Sequence, residues 1–160
     1  MSFKIGDHVV YPHHGAAVIE RKEMREAFGG EQTEYLVLRM AHGELTLSVP
    51  SAKVEEVGMR RPISVEDVED LFQLLSKKDV REPGNWSRRF KNHQEKLKTG
   101  DVYQVAEVVR NLALREAAKG LSAGEKSMLE RARGILVSEL SVALSVTEDE
   151  ALERLSAEIA

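Results

Sequence analysis

Residues 81–98 hold the side chains whose types and spacing point most directly to chemistry. Six are basic (Arg81, Arg88, Arg89, Lys91, Lys96, Lys98) against two acidic ones, Glu82 and Glu95, and Trp86 is the chain's only tryptophan. Basic side chains donate charge-assisted hydrogen bonds to phosphate oxygens. An exposed aromatic beside them can enter an unstacked base step. Trp86 follows the break Pro83-Gly84-Asn85, in which Asn85 is suited to cap a helix. A helix end projects a side chain outward more readily than a helix middle. The competing reading is structural: Trp86, Phe90 and Leu97 are spaced by four and then seven, as a core stripe would be. A basic stretch can equally be a solvated face.

Other constellations carry less. His13 and His14 are adjacent, with His8 close by. Neighbouring strand residues point to opposite faces, so this pair does not suit one metal ion. Packing in a turn is the expected role. Carboxylates fall mainly on helix exteriors and starts, as in Glu148-Asp149-Glu150, where a helix N-terminus favours negative charge. Neither a Ser-His-Asp spacing nor a glycine-rich phosphate loop is present, and Gly29-Gly30 reads as a hairpin turn. The chain has no cysteine, which removes thiol catalysis and thiolate-bound zinc. No enzyme, metal or cofactor is expected.

The elements that would position Trp86 divide in two. Residues 1–58 read as short strands: His8 to Tyr11, ended by Pro12; Ala16 to Glu20; Glu34 to Arg39; and Glu44 to Val49, whose strict alternation puts Leu45, Leu47 and Val49 on one face. Ala41-His42-Gly43 reads as the turn between the last two, and Val54 to Val57 as a fifth strand. Five short strands predict a small SH3- or Tudor-like barrel, whose closure removes exposed edges. Arg21, Lys22 and Arg25 lie in or near the second strand, as possible partners for acidic groups or as ordinary surface charge.

Beyond Pro62-Ile63 the period changes to helical. Ser64 caps a helix with Val68, Leu71, Phe72 and Leu75 on one face. Helices follow from Trp86 and from Asp101, the latter stopped at Gly120. Two capping boxes, Ser122 with Glu125 and Thr147 with Glu150, open the last two. The fold class is therefore α+β in two domains: 1–60 a Tudor-like barrel, and 64–160 a compact helical domain of about five helices.

The net charge of the 160-residue chain is −4. A protein that binds duplex DNA alone usually carries a basic excess. Contact with DNA should here be local and assisted by a partner. No apolar run approaches the ~18 residues of a membrane span, and the N-terminus lacks the apolar stretch of a signal peptide. A cytoplasmic protein that does not engage membranes is expected.

The residues also resemble a known family. Phe3-Lys4-Ile5-Gly6-Asp7-His8-Val9-Val10-Tyr11-Pro12-His13-His14-Gly15 looks like the start of CarD-family transcription regulators. Glu34-Tyr35-Leu36-Val37-Leu38, Leu45-Thr46-Leu47-Ser48-Val49-Pro50 and Asn85-Trp86-Ser87-Arg88-Arg89-Phe90-Lys91 continue the match. So do residues 100–112 and Gly120-Leu121-Ser122-Ala123-Gly124-Glu125-Lys126. The resemblance implies an N-terminal module, similar to that of transcription-repair coupling factor, that binds the lobe of the RNA polymerase β subunit in the sigma-containing holoenzyme. It implies a helical module at the upstream edge of the transcription bubble. There the family's tryptophan, matched by Trp86, wedges into the minor groove without an operator sequence, as at ribosomal RNA promoters. Arg88, Arg89, Lys91, Arg115 and Lys126 match its supporting basic positions. Arg25 matches a polymerase-contacting arginine. A second basic contact falls at Ser48 here, a departure that implies either a weaker grip or a compensating residue such as Arg39. A monomer associated with the nucleoid through polymerase is expected. The alternative is a protein-interaction module, binding polymerase or a repair helicase, with purely structural helices.

Overall fold

The computed structural model describes residues 2–26, 28–41 and 45–160. Four antiparallel strands form one sheet in chain order: β1 (His8–Tyr11), β2 (Gly15–Glu26), β3 (Gln32–Met40) and β4 (Thr46–Pro50). Alternation turns Val9, Ala17, Ile19, Leu36, Leu38, Met40 and Val49 inward, where Phe3, Val54 and Met59 complete a core. Each large apolar side chain so buried contributes roughly 1.5–3 kcal/mol. A register shift between Ile19 and Arg21 marks a bulge in β2, which raises local twist and helps the sheet curl. The turn read at 41–43 rests on His42 and Gly43, which lie outside the described residues.

The expected fifth strand is absent from 54–57. Ser51–Lys53 form a 3-10 turn, and the turn continues through Val57 N–H, which donates to the Lys53 carbonyl. Val54 and Val57 are three apart, a spacing that suits a helical turn and not the two-residue alternation of a strand. The chain then returns to β1. Val10 and Arg60 exchange both backbone hydrogen bonds, at 2.7 and 3.1 Å, so a single bridge stands where a whole strand was expected. The result is a curled half-barrel.

Five helices follow: α1 (Val65–Ser76), α2 (Trp86–Lys98), α3 (Val102–Ala118), α4 (Ala123–Leu144) and α5 (Glu148–Ile159). Ser64, Asn85, Asp101, Ser122 and Thr147 each accept a backbone N–H of the helix they open. Ser122 and Glu125 make the full reciprocal box. At Thr147 only half forms: Glu150 N–H donates to Oγ1, while the Glu150 carboxylate takes the threonine hydroxyl. Gly120, at φ +83°, closes α3 after Lys119. The stripes Val68/Leu71/Leu75, Val105/Ala106/Val109/Leu112, Met128/Leu129/Ala132/Leu136/Leu140 and Ala151/Leu155 meet in a second core.

The two cores are joined through α4. Glu139, almost fully buried, accepts both Arg60 terminal nitrogens at 2.7 and 2.8 Å and the Ile63 N–H at 2.8 Å. Arg60 Nε adds a bond to the Gly100 carbonyl. Ala16 N–H donates to Ser138 Oγ. Gly15, at φ +87°, lies so close to α4 that a Cβ would sit 2.7 Å from Ser138 Oγ. A buried carboxylate is tolerable only when satisfied this fully.

Candidate functional site

Trp86 opens α2, and Asn85 fixes that start by accepting Arg88 N–H. The indole is 44% exposed, the most exposed of the chain's described aromatic side chains among the large apolar residues at the surface. It is nevertheless held. Its ring stacks on Phe90 at 4.8 Å, and Nε1–H donates to Ser122 Oγ and Glu125 Oε1, each at 3.2 Å. The expected apolar stripe is thus graded along α2: Leu97 is buried, Phe90 half-buried and Trp86 exposed.

Glu125 is the hub. Its Oε1 also takes the Ser122 backbone N–H and hydroxyl. Its Oε2 faces Arg89 Nε at 3.5 Å and Arg115 Nε at 3.9 Å. Burial pushes the Glu125 carboxyl up, but the Ser122 donors, the Arg89 charge and the Trp86 indole outweigh that and hold it below the ordinary range.

The basic residues separate by role. Arg88, Lys91 and Lys126 are exposed, on the same end of the helical module as Trp86 in sequence and capping geometry. Arg115 is partly exposed beside Glu125. Arg89 differs from the other basic residues: it is 2% exposed, paired with Glu125, and its Nη1 reaches the Pro83 and Gly84 carbonyls. Buried to this extent, it does not join Arg88, Lys91 and Lys126 at the outer surface, and it supports the tryptophan from beneath. Lys96 is engaged by Glu107 at 2.7 Å. Sequence reading missed Glu125 as the tryptophan's acceptor. The capping box was visible, but not its contact with a residue 39 positions earlier.

On the sheet, Arg25, Ser48 and Arg39 share one face. Arg25 pairs with Thr33, Ser48 with Val37 and Arg39 with Thr46, and 33, 37 and 39 alternate to the same side. Arg25 lies 5.0 Å over the Tyr35 ring and donates to Glu23 and, at 3.1 Å, to Ser48 Oγ. Ser48 therefore orients Arg25. Hydrogen bonds from Arg21 and then Arg25 hold the Glu23 carboxyl below its ordinary value.

His13 adopts φ +70°, its carbonyl accepts from Arg131, and His14 packs near Tyr11. Among the described residues no group of three or more His, Cys, Asp or Glu is arranged to hold a metal ion. Among them, too, no helix is long and apolar enough to cross a membrane.

A curled four-stranded sheet is thus locked to a helical bundle that carries a propped surface tryptophan. Residues 3–63 match the CarD-like/TRCF RID domain and residues 70–156 the CarD C-terminal domain. The chain is 36% identical over 146 residues to the Bacillus subtilis (strain 168) protein named "Putative transcription factor YdeB", covering 91% of this chain and 95% of that one. The chain belongs to the CarD family, and it is a transcription regulator of that kind.

Proposed function

We propose that this protein grips the lobe of the RNA polymerase β subunit with the sheet face carrying Arg25, Ser48 and Arg39. It then sets Trp86 into the minor groove at the upstream edge of the melted promoter. The observation that carries this reading is the exposed, propped indole of Trp86 in a chain of the CarD family. Stacking on Phe90 and the two Nε1 bonds keep the ring ordered before contact, so little freedom is lost on binding. Arg88, Lys91 and Lys126, with Arg115, supply phosphate contacts around it.

The overall charge of −4 makes free binding to DNA weak. Attachment to polymerase raises the local concentration, to about the millimolar range for a short tether. The wedge favours the open complex only to the extent that it contacts melted DNA better than closed duplex. A difference of ~1.4 kcal/mol changes the open-to-closed ratio about tenfold. The minor groove carries little sequence code, so no operator is needed. The protein acts as a cytoplasmic monomer carried to the nucleoid by polymerase.

The intramolecular bonds of Trp86 favour one other reading, in which the helices are structural and the sheet alone does the binding. Affinity for the isolated β lobe separates the residues. Arg25→Glu should weaken it at least tenfold, and Trp86→Ala should leave it unchanged. Unaltered affinity for the Arg25 variant would remove the sheet face from the interface.

A further inference from the structure

We propose that a recess between α2, α3 and the segment leading into α2 binds a small free phosphoanion of about the size of pyrophosphate. The recess has a volume of about 330 Å³, within the usual range for small-ligand sites. Its wall carries four cations, Lys78, Arg89, Arg115 and Lys119, together with Asn111. The one carboxylate among the lining residues, Glu82, lies 2.8 Å from His93 Nε2. Asn111 Oδ1 accepts from Arg110 Nε, which leaves the amide NH2 end to donate.

The charges behind the wall are held only through long ion pairs. Arg89 is 2% exposed, yet its Nε makes no hydrogen bond among the described residues. Arg115 Nε is likewise buried and unbonded, and so is Glu125 Oε2 between them, at 3.5 and 3.9 Å. Three buried polar groups thus face one another without closing a hydrogen bond. Leaving such groups unmade is costly. An anion with several oxygens can accept from the partly exposed Arg115 and be attracted by the charge of Arg89 behind it, with Lys78 and Lys119 at the mouth adding charge.

The site is wired to the tryptophan. Glu125 Oε2 faces Arg89 and Arg115, and its Oε1 holds the Trp86 indole. An anion that draws the two arginines toward itself weakens their hold on Glu125 and changes the surroundings of Trp86. Coupling of this kind is reciprocal, so DNA on Trp86 would alter affinity for the anion by the same factor. Binding of the anion is independent of the promoter reading given above. Only its regulatory consequence rests on that reading.

Trp86 is the only tryptophan, so its emission in the full chain reports the site directly. Pyrophosphate is titrated at fixed ionic strength, with chloride as the control, and phosphorus NMR follows the ligand. A saturable change in emission is expected, with affinity at least tenfold weaker in the Lys78→Ala/Lys119→Ala double variant, whose exposed positions do not threaten folding. A response that tracks ionic strength alone, or that survives unchanged in the double variant, would overturn the site. A response to duplex DNA but not to pyrophosphate would also overturn it, assigning the recess to the DNA surface. Ligand line broadening without any emission change would keep the anion but overturn the coupling to Trp86.

Discussion

The Glu125 carboxylate serves three neighbours: it completes the cap of α4, accepts the Trp86 indole N–H and balances Arg89 and Arg115. Its folded pKa lies below the ordinary carboxylate value of 4.5. A carboxyl with a depressed folded pKa contributes stability that is complete above its unfolded value and is lost as pH falls through the folded one. Glu125→Gln should therefore lower stability at pH 7 by about 3 kcal/mol, because it leaves a buried guanidinium without its counter-charge. The gap between wild type and variant should narrow below pH 4.5. Thermal unfolding from neutral to acid pH measures both, and a gap that stays constant would contradict this role. At this scale the sequence revealed Trp86 and its basic surroundings. It did not reveal the burial of Arg89, because Trp86, Arg89, Phe90, His93 and Leu97 form one helical stripe and two of its members are polar. A reading that sends charge outward assigns Arg89 to solvent. Its partner lies 36 residues away on α4.

Elements were legible where local chemistry decides them. All five helix starts carry a capping residue in the sequence, and each one caps. The strand expected at 54–57 failed because Val54-Glu55-Glu56-Val57 lacks alternation, and its apolar ends fold into a turn. The lock between α4 and the chain returning to β1 was invisible, since Arg60 and Glu139 are 79 residues apart. That lock is open to test. Glu139→Ala leaves the Arg60 guanidinium and the Ile63 N–H without their acceptor, and breaking a buried pair in this way costs about 3–5 kcal/mol. Urea unfolding should show a loss of at least ~2 kcal/mol once the partial exposure of Arg60 is allowed for. A loss under about 0.5 kcal/mol, the range of ordinary surface substitutions, would mean that the two modules are not joined there.

The whole molecule relates two surfaces. The sheet face with Arg25 and the helix end with Trp86 belong to different cores, and α4 fixes one against the other. Neither surface needs high affinity alone. Under the proposed function, a net negative chain with a small basic end would gain DNA contact from its attachment to polymerase. The lifetime of open complexes formed by polymerase at a ribosomal RNA promoter tests this account most directly, measured with no factor, with wild type and with Trp86→Ala. The account predicts a longer lifetime with wild type and return to the factor-free value with the variant. An equal extension by both proteins would contradict the wedge, and no extension by either would contradict the stabilisation of the open complex itself.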